Sequence, residues 1–181
     1  MAANYLKGTQ NGIRVDEASG LVWSPAHYTW MDTNYPAGTP RQGYAIEVQA
    51  LWARLLRFLE RLGQPCPKGT WLALAHQVEA AMDRRFWLEE PGWISDCLLA
   101  DAGVSAGEAV VDDALRCNCA FPIAFGQVPA ARARRCLDAM ARHLVVPGAI
   151  RTLAPLPVQT PLPIYSSGHN LLNDPRHPYW G

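Results

Sequence analysis

Asp32 stands directly after Trp30 and Met31, in a stretch that carries Trp23, Tyr28, Trp30, Tyr35 and Tyr44. Aromatic faces stack on pyranose rings, and partial burial raises a carboxyl pKa so that the group holds a proton it can donate. An acid among aromatics, in a loop that leads into a helix, is therefore how a sugar-cleaving site is commonly built. The same residue also suits turn chemistry, because Asp32-Thr33-Asn34 ahead of Pro36 is an ordinary turn sequence. Trp30 and Tyr35 fit sugar stacking and plain loop packing alike. Arg41 offers a fixed fork of donors, suited to a carboxylate, to sugar hydroxyls or to a neighbouring acid.

Other polar residues divide in the same way. Glu47 sits at a helix start, where the macrodipole favours negative charge without any function. It is also the best alternative base within this chain, although a base must oppose the acid across the sugar. Among Glu89, Glu90 and Asp96, the last lies between Ile94 and apolar Leu98-Leu99 and is the one expected to face the site. Arg116 and Asn118 are two apart and do not share a face within a helix body, though both can reach a rim from its first turn. Arg132, Arg134, Arg135 and Arg142 read as a solvated helix face, not as a nucleic-acid patch.

The elements that must position these residues follow from periodicity and turn chemistry. Asn11-Gly12 and Ser19-Gly20 punctuate a hairpin-like lead-in over residues 10–23. Pro36 and Pro40 exclude a helix through the aromatic loop, placing Asp32 on a loop or a strand end. A helix is predicted from Ala45 to Leu62, with Ile46, Ala50, Leu51, Leu55, Phe58, Leu59 and Leu62 on one stripe and Arg54, Arg57 and Arg61 on a polar face. Gly63, Pro65 and Pro67 end it, and Thr70 caps a second helix running to about Trp87. Together they form a helical hairpin. Asp112-Asp113 reads as the cap of a third helix through Leu115, Ala120 and Phe121. A fourth opens at Val128-Pro129, with Ala133, Leu137, Met140, Ala141 and Leu144 inward, and ends at Pro147-Gly148. The domain reading is one unit over 1–181: lead-in 1–22, active-site loop 23–44, helical hairpins 45–146 and a Pro-rich tail 147–181.

Composition narrows the function classes. The chain has 181 residues, 16 basic and 16 acidic, so its formal net charge is zero and exerts no general pull on nucleic acid or anionic lipid. No apolar run approaches the ~18 residues of a membrane span, and the N-terminus lacks the apolar core of a secretory signal. Five scattered cysteines, Cys66, Cys97, Cys117, Cys119 and Cys136, read as free thiols in a reducing cytoplasm. Cys117-x-Cys119 has the wrong spacing for a zinc knuckle, so neither a metal nor a cofactor is expected.

The segment LVWSPAHYTWMDTNYPAGTPRQGYAIEVQALW, residues 21–52, closely resembles the signature of the amylo-α-1,6-glucosidase domain of glycogen debranching enzymes. FWLEEPGWISD, DDALRCNCAF and PGAIRTLAP resemble its later motifs in the same order, with Cys117 and Cys119 where the family commonly has Pro and Gln. The resemblance covers roughly residues 10–181 and implies an all-α fold, a partial (α/α)6 toroid of helical hairpins with aromatic-rich loops and a few short strands. A closed six-hairpin toroid needs about twelve helices, roughly twice this length at ~11–12 residues each, so the chain reads as a fragment.

The implied activity is hydrolysis of α-1,6-linked glucose at branch points of glycogen or limit dextrin, with Asp32 as general acid. Trp30, Tyr35, Arg41, Glu47, Asp96, Arg116 and Asn118 are the implied substrate-binding set. In inverting glycosidases a second carboxylate activates water from the opposite face, roughly 6.5–9.5 Å from the acid. The resemblance implies that this carboxylate lies beyond the last residue here. Implied partners are a branched α-glucan and the remainder of a split debranching enzyme, with no nucleic acid and no membrane. The alternatives are a non-catalytic carbohydrate-binding remnant and a helical-hairpin interaction protein.

Overall fold

Short strands, mostly in hairpins, are interspersed with helices along the chain. The computed structural model describes residues 2–31 and 40–158, and the backbone alone of 163–166 and 169–172. Helix α1 spans Ala2–Lys7, and strands β1 (Arg14–Val15) and β2 (Val22–Trp23) pair antiparallel, as the turn dipeptides predict. After the loop come β3 (Gly43–Ala45) and α2 (Ile46–Arg61), then α3 (Trp71–Arg85). A hairpin of β4 (Trp87–Leu88) and β5 (Trp93–Ile94) leads to β6 (Cys97–Leu99) and β7 (Val110–Asp112). A 3-10 turn at Cys117–Cys119 runs into α4 (Ala120–Ala124), and α5 covers Ala130–His143. Two further hairpins pair β8 (Val145–Val146) with β9 (Ala149–Ile150), and β10 (Pro163–Ser166) with β11 (His169–Leu172).

The all-α expectation is therefore corrected. The fold is mixed α/β, with five small antiparallel sheets among the described residues, and it is not an all-α partial toroid. Strands of two or three residues are too short to show a two-residue alternation, and β3 pairs with β6 across more than fifty intervening positions. Periodicity registers neither. The predicted third helix is present only in its later part, as the 3-10 turn at Cys117–Cys119 and α4, and it does not begin at Asp112-Asp113. Asp112 is the last residue of β7, and its Oδ1 accepts from the Ala114 N–H at 3.1 Å, so it closes a turn instead of capping a helix.

Helices α2 and α3 form the predicted hairpin, and Thr70 Oγ1 accepts from the Ala73 N–H at 3.0 Å as the cap. The core gathers Ala50, Trp52, Ala53 and Leu56 of α2 with Trp71, Ala75, Val78 and Met82 of α3. The buried stripe of α2 is thus rotated from the predicted one: Leu51, Phe58 and Leu62 are exposed. Helix α5 is rotated too, burying Cys136, Ala139 and Met140 while Leu137 faces solvent. Each helix takes its orientation from what packs against it, α3 and α4 for α2 and strands β5 and β8 for α5.

Three tryptophans pin these elements. The indole N–H groups of Trp23, Trp52 and Trp71, each at most 4% exposed, donate to the carbonyls of Ala100, Gly20 and Gln64. Buried Gln49 adds a further clasp. It accepts from Val22 N–H at 2.7 Å and donates to the carbonyls of Val22 and Ala45, tying α2 to β2.

Candidate active site

The chain from 24 to 43 leaves the sheet and returns to it at a zipped base. Ser24 and Gly43 exchange both backbone hydrogen bonds, at 2.9 and 3.0 Å, and His27 N–H donates to the Pro40 carbonyl at 3.0 Å. Gly43 has φ +126° and lies so close to β6 that a Cβ would sit 2.2 Å from the Leu98 carbonyl oxygen. Only glycine permits that approach. Asp32 and Tyr35 lie outside the described residues; the flanking Thr29, Trp30, Met31 and Arg41 lie within them.

Arg41 is the centre of the site. It adopts φ 46°, a strained backbone for a non-glycine residue, and its side chain is fully buried. All five of its N–H donors are used. Nε and Nη2 donate to Asp96 at 2.7 and 3.1 Å, Nη1 and Nη2 to Glu47 at 2.6 and 2.7 Å, and Nη1 also to Thr29 Oγ1 at 2.9 Å. The elements make this possible. Strand β3 passes directly into α2, so Glu47 occupies the first helical turn, while Asp96 precedes β6, which pairs with β3. The Ile46 N–H donates to the Asp96 carbonyl at 3.0 Å, locking the two acids side by side. Burial alone would lower the pKa of Arg41, but Asp96 and then Glu47 overcome it and drive the value above the ordinary one.

Asp96 carries the network further. Its Oδ1 accepts from Asn118 Nδ2 at 2.7 Å, and its Oδ2 lies 3.3 Å from Arg116 Nε, an ion pair without hydrogen-bond alignment. Asn118 is fully buried in the 3-10 turn after Arg116. Its Nδ2 also donates to Met31 Sδ at 3.0 Å, and its Oδ1 accepts from Trp30 Nε1 at 2.9 Å. The relay Arg41–Asp96–Asn118 thus ends on the two residues that immediately precede Asp32. Trp30 differs from the core tryptophans: its N–H is tethered, yet the residue is 56% exposed. A fixed indole with an open face has the geometry that ring stacking requires. Tyr28, 51% exposed, stands two residues away.

The structure brings together Trp30, Arg41, Glu47, Asp96, Arg116 and Asn118 from the sequence-predicted set. Glu47, Asp96, Arg116 and Asn118 are engaged with one another or with Arg41, and each is at most 2% exposed. Asp112 was missed as part of this cluster, because its position read as a helix cap. It is fully buried, its Oδ2 has no hydrogen-bond partner, and burial followed by the nearby Asp96 charge pushes its pKa up to about 7. Thr29 and Met31 were also missed, and nothing in residue type alone marks either as a contact of Arg41 or Asn118. Beside the site, burial pushes the Cys97 thiol well up, and all five cysteines are free.

Among the described residues no group of three His, Cys, Asp or Glu side chains could hold a metal ion. None of their helices is long and apolar enough to cross a membrane. No curated protein matches the chain significantly. The family model for amylo-alpha-1,6-glucosidase matches residues 1–175, and the chain belongs to that family.

Proposed function

We propose that this chain is a glycogen-debranching-type glycoside hydrolase unit, acting on α-1,6-linked glucose of a branched glucan with Asp32 as general acid. Family membership supports the reaction class and the glucan substrate. The observation that carries the residue assignment is the Asn118 amide, which holds Trp30 Nε1 and Met31 Sδ together just ahead of Asp32. In this reading Trp30 supplies a stacking face, and Tyr35 a second aromatic contact. Arg41, Glu47, Asp96, Arg116 and Asn118 hold the loop so that the acid meets the glycosidic oxygen in one geometry, where orientation is worth several orders of magnitude in rate.

A second reading is a carbohydrate-binding unit without turnover. It is favoured by the state of Glu47 and Asp96: both carboxylates are saturated by Arg41, which leaves neither free to activate water. One assay separates the two. Incubation with a branched limit dextrin should release glucose, and Asp32→Asn should reduce that release by about 10²–10⁴-fold, the usual worth of general-acid catalysis. Glucan binding by calorimetry should survive Asp32→Asn and weaken in Trp30→Ala. Binding without release selects the second reading, and absence of both refutes each of them.

A further inference from the structure

The apolar surface that α2 turns outward belongs to no part of the site described above. Leu51, Phe58 and Leu62 lie 48%, 46% and 54% exposed, and Leu72 at the start of α3 is 37% exposed. Positions 51 and 58 fall on one face of α2, and Leu62, which caps its C-terminus, continues the row, about 16 Å in all at 1.5 Å per residue. Leu51, Phe58 and Leu72 border a cleft of about 790 Å³, walled on its far side by Phe125. A stripe of this length and spacing matches about three turns of a second helix laid along it.

Charge determines what kind of helix. Arg54 lies 4.4 Å above the Phe125 ring and Arg61 lies 5.7 Å from the Phe58 ring centre. Among the described residues, no carboxylate lies within ion-pair distance of either guanidinium. The other charges along the cleft already have contacts within the chain. Arg57 is held in a bidentate pair by Glu79 at 2.6 Å, and Glu60 accepts from the Leu72 N–H at 3.0 Å. The cleft therefore presents two open cations, two helical turns apart, beside an apolar stripe. A second copy of this chain is a poor occupant. A twofold contact through α2 would bring Arg54 and Arg61 of both copies together, with like charges opposed.

We propose that the outer face of α2 docks an acidic amphipathic helix carried by a different polypeptide, its leucine-type stripe over Leu51, Phe58 and Leu62 and its carboxylates on Arg54 and Arg61. This surface stands independently of the carbohydrate reading, since its test involves neither sugar nor glucose release.

Two synthetic helical peptides of about sixteen residues serve as probes, identical in their leucine stripe and carrying Glu or Lys at the flanking positions. Fluorescence anisotropy against the full chain should show the Glu peptide binding about tenfold more tightly, with a preference that shrinks as salt rises. In the double variant Arg54→Glu/Arg61→Glu the preference should invert to the Lys peptide. Both positions are exposed, and circular dichroism should report an unchanged fold. Phe58→Asp should weaken both peptides. The proposal is overturned by no binding of either peptide, by equal affinities, or by a preference that the double variant leaves unchanged. It is equally overturned if sedimentation shows the chain pairing with itself through this face, or if maltoheptaose displaces the peptide.

Discussion

Arg41 and Asp96 show how few atoms hold the candidate site. Five guanidinium N–H groups meet five acceptor contacts in a fully buried setting, so every neighbour of Arg41 depends on its planar fork. Removing one member of a buried charged network leaves the others uncompensated, at about 3–5 kcal/mol. Arg41→Met should therefore lower the urea midpoint by an amount corresponding to that range. Arg41→Lys should recover only part of it, because three donors on a flexible stem cannot replace five in a plane. A variant that leaves the midpoint unchanged would show that Glu47 and Asp96 find other partners. Neighbouring Asn118 transmits this order to Trp30, and the preference of its amide for two different acceptors and one donor explains why no hydroxyl or carboxylate would serve there.

At the scale of elements, the sheet β3-β6-β7 is what assembles the network. It sets Glu47, at the start of the helix after β3, beside Asp96, at the entrance to β6, and it places Asp112 at the end of β7. The pairing of β3 with β6 requires the closest backbone approach in this region, at Gly43. Gly43→Ala should force β3 away from Leu98, destabilise the fold by more than the ~1 kcal/mol of an ordinary glycine substitution, and loosen the loop carrying Asp32. Hydrogen exchange at Tyr44 and Leu98 amides would read the change. Protection equal to that of the unsubstituted protein would refute it. Helix α2 has a second role in the same architecture: one face closes the core, and the other carries the exposed stripe bounded by Arg54 and Arg61.

For the whole molecule, the buried charges give a specific dependence of stability on pH. Asp112 titrates at about 7 in the folded chain, burial being the larger cause and Asp96 the next. In the unfolded chain an aspartate titrates at about 3.9. Between roughly pH 4 and 7 the unfolded chain has lost a proton that the folded chain retains, so this group makes stability fall as pH rises across that window and level off above it. Asp112→Asn should flatten the decline, raising the urea midpoint at pH 8 relative to pH 5 compared with the unsubstituted protein. An unchanged pH profile would show that Asp112 is not the group responsible. Exposed Glu89 acts in the opposite sense, its pKa lowered by the Trp87 N–H and then by Arg135, so its contribution is lost only at more acidic pH.

From sequence alone, the helices around 46–61 and 71–85, the Thr70 cap, the lead-in hairpin and the family were legible, because each rests on local chemistry or on a contiguous motif. Six of the candidate site residues, Trp30, Arg41, Glu47, Asp96, Arg116 and Asn118, were also named from their types and positions. Their joint burial around one guanidinium was not legible, nor was the strand character that replaces an all-α toroid with a mixed α/β fold. Both depend on pairings between segments far apart in the chain, and strands of two or three residues leave no periodic trace. The tertiary structure also decided which apolar stripe of α2 is buried, since the helix takes its orientation from what packs against it.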